Sequence, residues 1–314
     1  MDALLYLATI GIYLATIGTL AGIYAALTLG LNLQWGLTGL MNFGGAGFVA
    51  VGAYTAALLT AAPSATHVGG FGLPWFLAWP AAAAAGALLA LPIGAISLRL
   101  RADYLAIATI GIAEIVRLIA RNEDWLTGGP LGVTAIPRPF EGLGNPLGQF
   151  AFLALVAVVV AGLYALAEAT ARSPFGRALR AVRDDEEAAK AVGKNPARLR
   201  LQAFVLGAAF MGLGGAMMTA FFKFMGPDAL EPVTVTFLVW VMLIAGGSGS
   251  NLGAVLGAVA VWAIWAATDW LAAQLPGELA TRAAYIRLFL IGLALQLILL
   301  SRPQGIVGER IGGR

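Results

Sequence analysis

The chain has 314 residues, of which 60% are hydrophobic and only 11% charged, where ordinary soluble domains carry about 25% charged residues. Such apolar surface belongs in hydrocarbon, so composition excludes a soluble domain and predicts an all-α, polytopic transmembrane helical bundle. The net charge of +3 is modest and its basic residues collect in a few loops, which reads as a topology signal and excludes a nucleic-acid surface. Cysteine is absent, which excludes disulfides, thiol nucleophiles and Cys-ligated metals, and the one histidine, His67, lies in a Gly/Pro/Ala-rich connection and reads as a solvated side chain, since a metal site needs several ligands.

From Met1-Asp2 the chain turns apolar at once, with neither a basic n-region nor a small-residue cleavage site, so the first run is expected to be a retained membrane helix. Apolar runs of near spanning length fall at about 3–30, 33–61, 75–98, 102–121, 149–170, 201–222, 233–246, 251–272 and 284–301, about nine spans in all. Two of them look interrupted. The second is dense in glycine and holds an amide, Asn42. The seventh is short and ends in Gly246-Gly247-Ser248-Gly249-Ser250, as a half-helix meeting a loop at depth would. Broken backbone inside a bilayer is tolerated only where protein buries it or where it lines a watery cavity. Asn42, Phe43, Gly44, Gly45 and Gly47 are therefore candidate pathway residues, the amide offering both donors and an acceptor to a polar solute.

In the fourth run Glu114, Arg117 and Arg121 share one helical face. Charges at membrane depth must pair or reach an interface, so Glu114 is either a pathway group or half of a structural ion pair near the outer surface. The stretch 122–148, rich in glycine and proline and carrying Trp125, is expected as an external loop.

The stretch 171–200 is the longest strongly charged connection. Ser173-Pro174 predicts a helix start. Phe175, Leu179 and Val182 fall on one face, and Asn195-Pro196 marks a break. Its eight lysines and arginines, with Arg99 and Arg101 before the fourth run and Arg302, Arg310 and Arg314 at the end, should all face the cytoplasm. The parity of crossings agrees and leaves the N-terminus outside, the C-terminus inside. An amphipathic helix lying on the membrane surface would offer a docking knob to a soluble partner.

At this point the chain resembles a known family. Glu187-Ala188-Ala189 followed by Gly193 resembles the coupling element of bacterial ABC-importer permeases. Gly30 through Tyr54, Tyr104 through Arg117, Leu126-Thr127-Gly128-Gly129-Pro130 and Arg302-Pro303-Gln304-Gly305 look like branched-chain amino acid permeases of the LivM type, in order over nearly the whole chain. The resemblance implies an ABC importer permease fold, a single transmembrane domain over 1–314, and a bacterial cytoplasmic (inner) membrane location. It implies a pathway for branched-chain or related amino acids, built with a second, unlike permease, two cytoplasmic ATPase subunits and an external solute-binding protein. Arg180, Arg183, Glu187, Ala188, Ala189 and Gly193 would couple this chain to an ATPase. ATP and Mg would bind those partners, since the only Gly-Lys pair here, Gly193-Lys194, is followed by Asn195 and makes no phosphate loop. The chain itself would be no enzyme.

One departure stands out: relatives commonly carry a histidine where this chain has Gly45, which loosens any inference about the solute. Urea, short amides and nucleosides are alternative cargoes of the same machinery. A self-contained secondary transporter would need buried carboxylates or cation sites, for which only Glu114 and Asp269 are candidates. A membrane enzyme lacks any catalytic constellation.

Overall fold

The computed structural model describes residues 2–64, 67–98, 100, 102–231, 233–272, 289–290, 292–293, 296–298, 300–301 and 304–309. Apolar runs fold as helices because only a helix satisfies its backbone within the segment where water is absent. Helix α1 (Asp2–Leu31) does not end where its apolar run does; it continues as a π turn over Asn32–Gly36. The expected second span is thus broken. Its first residues extend α1, a non-helical hairpin follows through residue 44, and only then does α2 (Gly45–Thr60) begin. Next come α3 (Trp75–Ser97), α4 (Ala102–Asn122), the short α5 (Asp124–Thr127) and α6 (Leu147–Arg172). Two surface helices, α7 (Pro174–Asp184) and α8 (Glu186–Ala191), lead to α9 (Pro196–Phe222). A 3-10 turn at Pro227–Leu230 and a π stretch at Val233–Phe237 precede α10 (Leu238–Gly246), and α11 (Asn251–Ala272) follows after a glycine turn.

Among the described residues six helical stretches are long and apolar enough to cross a membrane: Thr9–Gly36, Trp75–Ser97, Leu147–Arg172, Pro196–Phe222, Pro227–Gly246 and Asn251–Leu271. The expected half-helix at 233–246 is therefore the C-terminal part of a longer stretch, Pro227–Gly246. Helix α2 is shorter at 16 residues, and α4 carries four charged side chains. The run 284–301 lies largely outside the described residues, as do Arg99, Arg101, Arg302, Arg310 and Arg314.

Helix α9 is the axis of the bundle, packed between α2 and α3. Lipid tails are as apolar as leucine, so helices associate here through close van der Waals fit. Gly52 faces Gly212 so closely that a Cβ on Gly52 would lie 2.1 Å from the Gly212 carbonyl oxygen. Large apolar side chains such as Phe76, Leu88 and Ile96 of α3 and Val158 of α6 point outward, as a lipid-facing surface requires.

The loop 122–148 is ordered by contacts with the end of α9. Arg138 donates to the Phe221 carbonyl at 2.7 Å and lies over the rings of Phe152 and Phe221. Val133 and Met225 form a single antiparallel bridge, and Lys223 pairs with Glu141. That pairing holds the Glu141 carboxyl below its usual range.

Candidate functional site

The break between α1 and α2 is built by amides. The Gln34 Nε2 donates to the Phe204 carbonyl at 2.8 Å, and its Oε1 accepts from Asn42 Nδ2 at 2.7 Å. Asn42 Oδ1 in turn accepts from the Gly44 N–H at 2.8 Å, and the Asn42 carbonyl accepts from Trp240 Nε1 at 3.1 Å. Both amides are fully buried. The interrupted hairpin thus has its freed polar groups satisfied by side chains, the condition for irregular backbone at depth. Asn42 is a structural pin in this conformation, with its amide committed to the chain.

The glycines beside it divide by role. A Cβ on Gly44 would stand 2.6 Å from the Thr109 carbonyl oxygen and one on Gly47 3.1 Å from the Ala113 Cα, so these two let α4 approach. Gly45 faces the other way. It borders a small void, with Asn42, Met211, Thr236 and Trp240, that has about 10 Å³ for the centre of a water-sized sphere. That is room for about one water. Across the void the Thr236 hydroxyl accepts from the Ala46 N–H at 3.0 Å, tying the π stretch before α10 to the first turn of α2. Phe43 stacks on Trp240 with centroids 4.5 Å apart, Trp35 leans on the same indole at 5.3 Å, and Phe237 lies 5.7 Å from Phe43. An aromatic cluster therefore joins the two π stretches, and π turns inside α-helices are frequent at functional sites.

Glu114 lies apart from this cluster. Both its carboxylate oxygens accept from Arg117, at 2.6 and 2.9 Å. Asp228 sits within 4.0 Å of both Arg117 and Arg121. Glu114 thus belongs to an ion-pair network with Arg117 and Asp228 in the C-terminal half of α4.

The loop after α6 is two capped helices. Ser173 Oγ accepts from the Gly176 N–H, Asp185 Oδ1 from Ala188, and Asn195 Oδ1 from Arg198, each side chain satisfying an otherwise orphaned helix-start donor. Gly193, at φ +77°, closes α8: its N–H reaches the Lys190 carbonyl while Lys194 reaches Ala189, the reciprocal pair that a left-handed residue after a helix makes possible. Ala189 is buried, Glu187 is exposed and paired with Lys190, and Val192 stands out at 73% exposure. Glu186 bonds Lys190 and Arg200, which holds its carboxyl below the usual range. Arg180 donates to the Ala171 carbonyl, so it braces the elbow between α6 and α7. Arg183 points inward instead, to the Gly36 carbonyl at 2.5 Å and to Glu309 at 3.0 Å.

Sequence reasoning passed over Gln34, Thr236, Trp240 and a second polar chain. In that chain Asn32 Nδ2 donates to Asn251 Oδ1, and Asn251 Nδ2 donates to Glu168 Oε2, each at 2.9 Å. Gln34 and Asn32 carried the same signal as Asn42, an amide within an apolar run. Trp240 carried none that separates it from the other tryptophans.

Residues 13–299 match the family described as the permease component of the branched-chain amino acid transport system. The high-affinity branched-chain amino acid transport system permease protein LivM of Escherichia coli (strain K12) is 39% identical over 271 residues, covering 77% of this chain and 60% of that protein. A probable branched-chain amino acid transport permease protein LivM of Methanocaldococcus jannaschii is 28% identical over 320 residues, covering 92% and 91%. The autoinducer 2 import system permease protein LsrC of Klebsiella pneumoniae is 30% identical over 169 residues, covering 52% and 46%. The chain thus spans about three-fifths of the length of its enteric LivM relatives. No solved structure matches it.

Proposed function

The chain belongs to the family of permease components of branched-chain amino acid transport systems, and from that premise we propose that it is the transmembrane subunit of an ATP-driven importer for branched-chain or related amino acids. The observation that carries the reading is the interrupted α1–α2 hairpin, whose buried amides Gln34 and Asn42 sit beside a void and an opposing π stretch. Irregular backbone with polar side chains at depth is where transport proteins move solutes. Asn42, Phe43 and Gly45 border the route, in a closed conformation, while Gly44 and Gly47 let α4 close against the hairpin from behind. Glu114 supports the wall through its ion pair, and its commitment to Arg117 disfavours a proton- or cation-driven transporter.

A second permease completes the pathway, and an external binding protein delivers the solute. Two ATPase subunits bind ATP and Mg and dock on α7 and α8, where Glu187, Ala188 and Gly193 form the contact and the buried Ala189 seats α8 beneath it. Counting α2, α4 and the run 284–301 with the six long helices gives nine crossings of the inner membrane and sets the N-terminus outside. Two contacts support that grouping of the connections by end: Glu309 meets α7 through Arg183, while the Val68 N–H bonds the Trp125 carbonyl in the loop at the other end.

The test is uptake by vesicles holding the assembled complex, with leucine, isoleucine and valine compared against urea and a nucleoside. ATP-dependent uptake of the aliphatic amino acids is expected. Uptake without ATPase subunits would refute the importer, and preference for urea or nucleoside would refute the solute class. In intact cells a membrane-impermeant thiol reagent should label Leu131→Cys and spare Val192→Cys, both exposed positions in a cysteine-free chain; the reverse pattern would invert the orientation.

A further inference from the structure

At the end of the bundle that carries α7 and α8, two segments far apart in sequence, the π turn of α1 and residues 304–309, meet one guanidinium of α7. Arg183 projects from the last turn of α7. Its Nη1 donates to the Gly36 carbonyl at 2.5 Å and pairs with Glu309 Oε2 at 3.0 Å, while Nε holds Asp184 at 3.0 Å. Gly36 closes the π turn of α1. Gly39, at φ +71°, would place a Cβ only 3.3 Å from the Arg183 Cγ, so the aliphatic stem of the arginine packs on the hairpin itself. Glu309 ends a segment whose backbone is bonded to the end of α10: the Ile306 N–H reaches the Ala245 carbonyl and Val307 reaches Gly246, both at 2.9 Å. The turn after α10 then returns to α1, where the Gly249 N–H donates to Asn32 Oδ1 at 2.9 Å.

We infer that Arg183 is a positioning residue that clamps the α1–α2 hairpin and the 304–309 strap to the surface helix α7, so that these move as one body. Through Nη1 and Nε the planar guanidinium holds a carbonyl and two carboxylates in fixed directions, an arrangement that a lysine ammonium, a point charge on a flexible stem, reproduces only in part. Side-chain exposures of 25% for Arg183 and 21% for Glu309 leave the pair partly shielded from water, where such contacts are stronger than on an open surface. Three residues beyond Gly39 stands Asn42, pinned to Gln34 and Trp240. A displacement of α7 is thereby delivered to the hairpin beside the void, with no slack segment between. Arg183 accordingly serves the interior of this chain; it is not part of the face offered to an ATPase, in contrast to Glu187, whose side chain is 84% exposed.

The inference rests on the importer reading for its consequence but not for its geometry. Spin labels on Met41→Cys and Arg177→Cys of the cysteine-free chain, in the assembled complex, report the hairpin-to-α7 distance by pulsed electron resonance. The clamp predicts one distance distribution, the same without nucleotide and with ATP trapped. Arg183→Gln, and separately Glu309→Gln, should broaden it and make it depend on nucleotide, while ATP consumed per solute imported rises roughly fivefold to tenfold. Arg183→Glu with Glu309→Arg should restore part of the ratio, whereas Arg183→Lys should not restore it fully. A wild-type distance that changes with nucleotide overturns the clamp. So do variants that lose thermal stability alone, with distance and ratio unaltered. A wild-type complex that imports nothing, while Arg183→Gln still broadens the distance, refutes the importer and keeps the clamp.

Discussion

Two glycines of α2, seven residues apart, should answer the same substitution with opposite signs. At Gly45 an added methyl would meet Met211 Sδ at 3.7 Å and Thr236 Oγ1 at 3.8 Å, ordinary contact distances. Gly45→Ala should therefore be neutral or stabilising by up to about 1 kcal/mol, through the entropy a helical glycine forfeits. At Gly52 the methyl would stand 2.1 Å from the Gly212 carbonyl oxygen and 2.4 Å from its Cα. Reaching ordinary contact there needs the two backbones to move apart by considerably more than about 1 Å, and overpacking of a close-packed contact costs about 1–3 kcal/mol. The upper part of that range applies, because the neighbour is backbone and cannot rotate away. Unfolding in mixed micelles of increasing denaturing detergent would measure both, with vesicle uptake read alongside. Gly45→Trp completes the series: an indole cannot enter a void of single-water size, so uptake should stop while the complex still assembles. The reasoning fails if Gly52→Ala is as stable as the native chain, or if Gly45→Trp transports normally.

Asn42→Leu leaves Gln34 Oε1 and the Gly44 N–H without their partners, so a loss of about 1–3 kcal/mol is expected. Gln34→Leu should cost as much, and the double variant distinctly less than the sum, as a double-mutant cycle would reveal. Glu187→Lys exchanges an exposed side chain, so stability should stay within about 0.5 kcal/mol while ATP hydrolysis comes loose from uptake; normal coupling in the purified complex would remove Glu187 from the docking surface. Gly193→Ala forces a left-handed backbone on a side chain that otherwise has open space, at about 1–2 kcal/mol; Gly193→Asn should recover part of it. The Lys223 partner lowers the Glu141 carboxyl below its ordinary value. Its contribution is therefore complete above the unfolded-state pKa and disappears as pH falls through the lower folded value. Glu141→Gln should abolish that acid-limb dependence in thermal scans, and an unchanged limb would show the pair contributes nothing there.

The helical class, the order of the runs, the break near Asn42, the start of α7 at Ser173 and the break at Asn195 were legible in sequence because each is local. Length and hydropathy set the spans, and Ser173, Asn195 and Gly193 act on backbone groups within a few residues. What tertiary structure alone decided was which way each side chain faces. Gln34 finds the Phe204 carbonyl across 170 residues, Asn32 finds Asn251 across 219, and Arg183 finds Gly36 across 147. The same holds for neighbours: Gly44 and Gly47 serve the approach of α4 while Gly45 borders the void. In water a helix marks its buried side with apolar residues, so its orientation can be read from the pattern. In hydrocarbon both sides of a helix are apolar and the buried side is distinguished by fit, which exists only once the neighbouring helix is in place.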